Sequence, residues 1–338
     1  MKTPTKHILT MTRLLSLGAC LIVALTTVAD ARVHAFYWDS STGMVDLGSL
    51  GDDSIANGIN DSGQIVGYSY LADEGPIHMV MWTTTGGIVD LGSIDNSQSS
   101  IGNAINSAGD IVGSGIDANA KQVAFFWSSS TGYVSLGEVR ANGYANGNDI
   151  NDSDTITGSA FGPSQGFIWR PLHRFRQYLG TLPGGATSEG LGINNLGHIT
   201  GTATLSTGAR DAILWSKSGG MRDIGTVQEG VNTIGFGIND KDEVVGFTGG
   251  TERPFYWRDA TGIRLLRTLG GPSAEAYAIN NSGAIVGSCQ TPANMFHATL
   301  WSSHKAIPQD LGTLPGGTTS VAKAINASGQ VVGWADVL

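Results

Sequence analysis

A repeat of about 44 residues recurs seven times along this chain and restricts it to repeat architectures. Each copy contains an apolar segment that ends in tryptophan and, further along, an Ile-Asn pair. The tryptophans lie 42 to 46 residues apart, at Trp38, Trp82, Trp127, Trp169, Trp215, Trp257 and Trp301. The paired asparagines are Asn60, Asn106, Asn151, Asn194, Asn239, Asn280 and Asn326. One period fills the chain from 33 to 338, so each unit must bury its apolar surface against the next.

Composition decides between helical and β repeats. The 49 glycines, and the short β-branched segments bounded by Gly, Asn, Asp and Ser, disfavour helices and indicate strands with tight turns. Four strands are predicted per unit, at 54–59, 64–68, 35–38 and 44–47 in the first copy. The turn after each Ile-Asn pair should be capped by its asparagine and reach a positive φ, at glycine in five copies. Asp154 and Asp242 replace that glycine, and Asp tolerates this conformation.

The tryptophan strand is apolar on both faces, whereas a strand of a sandwich or solenoid has one wet face and alternates. In the first copy Phe36 and Trp38 lie on one face and Tyr37 on the other, and the remaining copies are similar. Blades arranged in a ring cover each other on both sides. The sequence therefore predicts an all-β fold, a seven-bladed β-propeller of four-stranded blades, with all seven tryptophans in the core.

The strand that leads to the Ile-Asn pair carries small residues. Ala56 and Gly58 are matched by Gly or Ala in nearly every copy. Because residues two apart share a face of a strand, we expect one face almost without side chains and place this strand nearest the axis. The next strand ends in glycine in every copy, and we expect either a neighbouring tryptophan ring to cover that glycine or a β-bulge there.

The strand order predicts how the ring closes. The first two strands, 35–38 and 44–47, lack inner strands of their own, and the last two, 321–325 and 330–333, lack outer ones. Together they should form one shared blade, with 36–38 antiparallel beside 331–333, so that two exposed edges are replaced by ladder hydrogen bonds.

The first 31 residues are typical of an export signal. Lys2, Lys6 and Arg13 precede an apolar segment at 14–28, and small residues follow it. We expect cleavage after residue 31, a single propeller domain over 32–338, and a secreted or periplasmic location. The alternatives are an uncleaved membrane anchor, for which the apolar segment is short, and lipidation of Cys20.

Charge and cysteine content limit the partners. Removal of residues 1–31 leaves 16 basic and 27 acidic residues, a net charge of −11. Such a surface repels phosphate backbones and anionic lipid heads, so we expect no nucleic-acid partner. Once the apolar segment at 14–28 is cleaved off, we expect no membrane span. Cys289 would be the only remaining cysteine, which excludes an internal disulfide. We expect a monomer.

Three motifs recur in fixed order: His34-Ala35-Phe36, Asp46-Leu47-Gly48, and Ile-Asn-x-x-Gly-x-Ile-Val-Gly. In these the chain resembles the bacterial HAF-repeat family over essentially its whole mature length. The family is described as extracellular repeat proteins. The resemblance implies secretion or surface exposure without implying a reaction.

No catalytic or cofactor motif is present in the mature chain, so we expect no catalytic residues, no cofactor and no metal. His34, His78 and His297 begin the tryptophan strand in different repeats, and we interpret them as half-exposed strand residues. The segment 240–243, Asp-Lys-Asp-Glu, is the best calcium candidate, but a calcium site needs six to eight oxygens. We interpret it as a solvated turn.

A ligand site should lie where the repeats differ, in the links between an outer strand and the next inner strand, which open around the axis. The candidate ligand-binding residues are Asp53, Arg140, Glu189, Arg267 and Glu275. Arg267 is distinctive because its six equivalents are glycine, so Arg267→Gly should leave stability unchanged or slightly improved. The alternative is that these charges serve solubility.

Three functions fit these features. The first is a non-enzymatic binding or surface-interaction module for an extracellular glycan or protein. The second is a propeller hydrolase or lyase with Asp53, Glu189 and Glu275 as acid and base, which requires two of these carboxyls to converge on the axis. The third is a structural matrix or adhesion protein.

Overall fold

The computed structural model describes residues 32–337 apart from 73–74, 85–86, 138–143, 163, 172–174, 229–230 and 251. The expected export signal, 1–31, lies outside the described residues. The described part forms seven four-stranded antiparallel sheets in a ring, a seven-bladed β-propeller, as the repeat predicts.

The strands follow one order in every blade, from the axis outwards. β1 (Arg32–Asp39) and β2 (Gly43–Asp46) open the chain and belong to blade 7. Blade 1 contains β3 (Ser54–Ile59), β4 (Gln64–Tyr70), β5 (Ile77–Thr83) and β6 (Ile88–Asp90); a 3-10 turn, Ile94–Asn96, leads to blade 2, with β7 (Ser100–Ile105), β8 (Ile111–Ile116), β9 (Gln122–Ser128) and β10 (Gly132–Ser135). Blade 3 contains β11 (Ala145–Ile150), β12 (Ile156–Ala160), β13 (Gln165–Arg170) and β14 (Phe175–Tyr178), and blade 4 contains β15 (Ser188–Ile193), β16 (Ile199–Thr204), β17 (Arg210–Ser216) and β18 (Gly220–Asp223). Blade 5 contains β19 (Thr233–Ile238), β20 (Val244–Thr248), β21 (Arg253–Arg258) and β22 (Gly262–Leu265), and blade 6 contains β23 (Ala274–Ile279), β24 (Ile285–Gln290), β25 (Phe296–Trp301) and β26 (Gln309–Asp310). β27 (Ser320–Ile325) and β28 (Val331–Val337) complete blade 7.

Blade 7 closes the ring with strands from both ends of the chain. Its order is β2-β1-β28-β27, and Phe36 pairs with Gly333 while Trp38 pairs with Val331. The predicted antiparallel register is confirmed.

The inner strands β3, β7, β11, β15, β19, β23 and β27 contact one another around the axis, which confirms their predicted place. The expectation that Ala56 and Gly58 share a face is wrong. A β-bulge lies between them, because Ala56 pairs with Gly67 and Gly58 with Val66, which leaves Asn57 as the extra residue. A Cβ on Gly58 would touch blade 2, whereas one on Gly102, the equivalent of Ala56, would touch Val66 of blade 1. The small residues at these two positions of the inner strand therefore face the two different neighbouring blades. All seven inner strands carry this bulge.

The bulge also explains the glycine that ends each second strand. A Cβ on Gly113 would lie 2.1 Å from the carbonyl oxygen of Ile101 in the bulged strand, so no side chain fits. The expectation that tryptophan covers this glycine is wrong. The ring over Gly113 belongs to Phe125, while Trp127 pairs with Ile111.

Apolar packing between blades is continuous around the ring. The residue before each tryptophan packs against the tryptophan of the next blade, as Tyr37 does against Trp82 and Leu300 against Trp38. Six tryptophans are buried, as predicted, but Trp127 is only partly buried, so the expectation that all seven lie in the core fails there. Cys289 is buried as a free thiol, and burial raises its pKa to about 11.

The Ile-Asn pairs form a hydrogen-bonded ring at one end of the axis. The Asn60 side-chain oxygen accepts from the backbone N–H groups of Ser62 and Gln64, which is the predicted turn cap. Its Nδ2 donates to the carbonyl oxygen of Asn106 in the next blade. The same inter-blade bond is made by every equivalent asparagine, ending with Asn326 to Asn60 at 3.2 Å. Asp154 and Asp242 have φ of 54° and 57°, as expected.

Among the described residues, no helix has the length and apolar character needed to cross a bilayer.

Candidate functional site

A cavity of about 670 Å³ lies on the axis, in the half nearer to the links that lead into the inner strands. Two kinds of side chain line it. Amides contributed by blades 1 to 3 form one wall: Asn57, Asn103, Gln122, Asn146 and Asn148. Blades 4 to 7 contribute Leu191, Phe236, Glu275, Tyr277 and Lys323. Blade 2 adds Ile101 and Ser114.

The bulges determine which residues reach the cavity. The extra residue of each bulge lines it, at Asn57, Asn103, Asn148, Leu191, Phe236, Tyr277 and Lys323. The three asparagines are also held in place by the scaffold. Asn57 Nδ2 donates to the carbonyl oxygen of Gly102 at 2.9 Å, and Asn103 and Asn148 make the equivalent bonds at 2.8 and 2.7 Å. The amide wall is therefore preorganised.

Aromatic rings form the opposite wall. The ring centroids of Phe236 and Tyr277 lie 5.3 Å apart, and the Phe247 ring centroid lies 5.7 Å from that of Phe236. Lys323 Nζ lies 4.3 Å from the centroid of the Tyr277 ring, within the range of a cation-π contact. The result is an aromatic platform with one cation above it.

Burial controls the charges at this wall. It raises the pKa of the Glu275 carboxyl, and a hydrogen bond with Tyr277 opposes that rise. Burial lowers the pKa of Lys323, while the nearby Glu275 opposes the fall. Burial also raises the pKa of Tyr277, as does the adjacent Glu275. Glu275, Tyr277 and Lys323 thus form one coupled cluster inside the cavity.

The candidate residues named from the sequence lie in different surroundings. Glu275 lines the cavity. Asp53 accepts a 2.7 Å hydrogen bond from the backbone N–H of Val33, and Glu189 forms an ion pair with Arg210 at 2.5 Å. Arg267 is exposed in its link, and Arg140 lies outside the described residues. Of Asp53, Glu189 and Glu275, only Glu275 lines the axial cavity, so the convergence required for a carboxylate pair is not present there.

Arg267 differs from its equivalents in backbone as well as side chain. The six equivalent glycines have φ between 71° and 87°, whereas Arg267 is not among the described residues with positive φ. In the copy ending at Gly312, the Asp310 carboxylate accepts from the Gly312 N–H at 2.8 Å. Leu265 replaces that aspartate in the Arg267 copy, so the turn and its cap are lost together.

The opposite end of the axis is acidic. A shallow cavity of about 220 Å³ is lined by the asparagine ring and by the residues that follow it, including Asp61, Asp152 and Asp240. These carboxylates accept from backbone N–H groups of the neighbouring blade, as Asp240 does from Asn195 at 2.8 Å. In the segment proposed for calcium, Asp242 accepts from Asn194 and Glu243 from Asn239. Within the described residues, no group of three or more His, Cys, Asp or Glu side chains is arranged to hold a metal ion.

Two recurring motifs form one interaction. His34 Nδ1 lies 2.8 Å from Asp46 Oδ2, and Asp46 Oδ1 accepts from the Gly48 N–H. His78 with Asp90 and His297 with Asp310 repeat the pairing. The histidine of the His-Ala-Phe motif is thus the cross-strand partner of the Asp-Leu-Gly aspartate, in keeping with a half-exposed strand position.

Fold and cavity together define a seven-bladed propeller with an axial cavity. Virginiamycin B lyase from Staphylococcus aureus is similar to it at 9% identity and a TM-score of 0.53, over 90% of this chain and 99% of the lyase. The β-propeller domain of the Trilobed protease from Pyrococcus furiosus matches at 10% identity and 0.53, over 80% and 82%. A putative TolB from Agrobacterium tumefaciens matches at 10% and 0.51, over 91% and 99%. These likenesses show the fold alone. No family profile matches the chain, and no curated protein matches it in sequence.

Proposed function

We propose that this chain is an exported, non-enzymatic binding module of the HAF-repeat type that binds a glycan in its axial cavity. The observation that carries the proposal is the pairing of a fixed amide wall with an aromatic platform in a single cavity. The signal-like segment 1–31 supports a secreted or periplasmic location.

The lining suits a sugar. Side-chain amides both donate and accept, so they can satisfy the hydroxyl groups of a ring, and aromatic faces cover its C–H surface. A cavity of about 670 Å³ lies within the usual range for small ligands. A protein partner would need roughly 800 Å² of surface on each side, which a concave axial pocket does not offer.

A lyase or hydrolase is the second candidate. The cluster of Glu275, Tyr277 and Lys323 favours it, because coupled titratable groups with shifted pKa values inside a cavity are typical of acid-base sites. This candidate would use the same cavity but would convert its ligand.

Glycan-array screening of residues 32–338, followed by calorimetry with each hit, tests the proposal. Tyr277→Leu in blade 6 and Asn103→Leu in blade 2 each introduce a leucine at the bulge. Blade 4 already has leucine at the equivalent position, Leu191. Each variant should weaken binding by about tenfold or more. Gln309→Ala, an exposed amide on an outer strand, should leave it unchanged.

Two results decide against the proposal. Binding that survives both cavity variants places the site elsewhere. A glycan that is shortened or gains a double bond during incubation, with the change abolished by Lys323→Met, supports the second candidate.

A further inference from the structure

A second cavity, of about 780 Å³, lies away from the axis between blades 3 and 4. Blade 3 contributes Ile168, Arg170 and Gln177 to it. Blade 4 contributes Leu196, Gly197, His198, Trp215, Lys217 and Ser218. We call this cavity the 3/4 groove. It shares no lining residue with the axial cavity.

The equivalent groove between blades 5 and 6 is filled by side chains and serves as a comparison. There the Tyr256 ring stacks on His304, with centroids 4.3 Å apart and planes 9° from parallel. The Tyr256 hydroxyl donates to Glu243 Oε1 at 2.6 Å. A planar aromatic pair and a carboxylate thus occupy the groove.

The repeat gives the equivalent residues of the 3/4 groove. Tyr256 directly precedes its tryptophan, as Ile168 does, and His304 follows its tryptophan by three residues, as Ser218 does. Thr155 stands where Glu243 stands, four residues after the paired asparagine. Both rings and the carboxylate are replaced by smaller groups, which leaves room for an aromatic ring.

Two cations remain beside that space. Arg170 Nε donates to Thr155 Oγ1 at 3.1 Å, which orients the guanidinium, and Lys217 is exposed at the rim. Neither has an ion-pair partner among the residues that the structure describes. His198 also lines the groove, paired with Asp242 at 2.8 Å. The 3/4 groove thus presents two cations with no carboxylate among the described residues that line it.

We propose that the 3/4 groove binds a planar aromatic carboxylate. Its ring takes the place that Tyr256 and His304 occupy between blades 5 and 6, against Trp215 and Leu196. Its carboxylate lies between Arg170 and Lys217, because an arginine fork and an ammonium group both donate to a carboxylate.

Calorimetry on residues 32–338 with three probes tests the chemistry. 4-Hydroxybenzoate should bind with a Kd on the order of 0.1 mM, as expected for a ligand of this size. 4-Hydroxybenzamide lacks the charge and cyclohexanecarboxylate lacks the flat ring, so each should bind about tenfold more weakly or worse. Equal affinity for the acid and the amide would overturn the proposal, as would no binding of 4-hydroxybenzoate at about 5 mM, well above that Kd.

Variants locate the site. Lys217→Gln, at an exposed position, should weaken 4-hydroxybenzoate binding about tenfold without changing the melting temperature. Lys305→Gln, an exposed cation next to the filled groove, is the matched control and should change nothing. Ile168→Tyr with Ser218→His rebuilds the aromatic pair and should abolish binding. Tyr277→Leu in the axial cavity should leave it intact.

The melting temperature of the double variant shows whether it is folded, so a loss of binding through misfolding can be recognised. Binding that persists in a folded double variant, or that responds equally to Lys217→Gln and Lys305→Gln, places the ligand elsewhere and refutes the proposal.

Discussion

At the scale of single residues, the paired asparagines hold both a turn and an interface. Asn151 is buried; its Oδ1 accepts from the backbone N–H groups of Ser153 and Thr155, and its Nδ2 donates to the carbonyl oxygen of Asn194 in the next blade. One side chain therefore satisfies three backbone groups. This explains why the repeat keeps asparagine where aspartate could cap the turn but could not donate.

Asn151→Ala should lower the unfolding free energy by about 2 to 4 kcal/mol, since it leaves several buried polar groups without partners at about 1 kcal/mol or more each. Asn195→Ala, at the more exposed position after the next paired asparagine, should cost clearly less. Urea denaturation of both variants measures the difference. Equal losses would contradict the role assigned to the buried asparagine.

Asp211 stands in blade 4 at the position of the motif histidine. It lies four residues before Trp215, the position that histidine holds in three other blades, and it faces Asp223. Burial, reinforced by the Asp223 charge, raises the pKa of Asp211 to about 6. The folded state then binds the proton more tightly than the unfolded chain, whose carboxyl has its ordinary pKa near 4. Stability is therefore lost as pH rises from about 4 to about 6.

Asp211→His should raise the melting temperature at pH 7.5, because it removes the carboxylate repulsion and restores the pairing found in three blades. The gain should shrink at pH 4, where Asp211 is already protonated in the folded protein. Melting curves of both proteins at the two pH values check this. A gain that is independent of pH would mean that packing, not charge, limits this position.

At the scale of strands, the tryptophans offer a comparison within one molecule. Trp301 is fully buried between blades 5 and 6, and its Nε1 donates to the carbonyl oxygen of Arg267 at 2.8 Å. Trp127 has the same place in the repeat but is only partly buried.

Trp301→Ala should cost about 3 to 5 kcal/mol, the range for removing a large aromatic side chain from a core. Trp127→Ala should cost clearly less, since the Trp127 side chain buries less apolar area in the folded protein. Denaturant titration gives both values. A larger loss at Trp127 than at Trp301 would contradict the packing described for the blade interfaces.

Arg267 and Gly312 occupy equivalent links but adopt different backbones. Gly312 has a φ of 77° and is capped by Asp310, whereas Arg267 lacks both features. Arg267→Gly should therefore lower stability by about 0.5 to 1 kcal/mol through added freedom of the unfolded chain, instead of restoring a consensus turn. Gly312→Arg should cost at least about 1 kcal/mol from strain. Thermal unfolding of the two reciprocal variants checks the order.

Much of the fold could be predicted because the repeat presents every constraint seven times. Strands that are apolar on both faces must be covered on both sides by neighbouring sheets. The two half-blades at the ends of the chain can be completed only by pairing with each other. The bulge could not be predicted, since small residues at 56 and 58 fit one crowded face as well as two. Because the bulge residue is the one that reaches the axis, only Glu275 among the described candidate link residues lines the cavity. The sequence did contain a signal for the axial cavity: the residue at the bulge varies between repeats, as at Asn57, Leu191 and Lys323, while its neighbours in the inner strand stay nearly constant.

At the scale of the whole molecule, blade 7 joins the two ends of the chain. β1 pairs with β2 on one side and with β28 on the other, and Arg32 lies opposite Val337. Deletion of 320–338 removes β27 and β28, exposes the edge of β1 and opens the asparagine ring at Asn326. This deletion should destabilise the whole ring. It removes two strands and the ring closure together, so it does not show which of the two losses is responsible.

A circular permutant separates these two effects. A short linker can join Val337 to Arg32, because they are direct strand partners, and new ends can be placed in the link between blades 4 and 5, within 226–232. This protein keeps all 28 described strands and the full asparagine ring but has no blade shared between its ends. If closure itself stabilises the ring, the permutant should fold with a lower melting temperature and a broader transition than the parent, while the deletion variant should lose cooperative unfolding altogether. Calorimetry on the three proteins gives midpoint and width together. A permutant that melts as sharply and as high as the parent would show that the ring depends on its blade interfaces alone, and that the shared blade matters only as two of its strands.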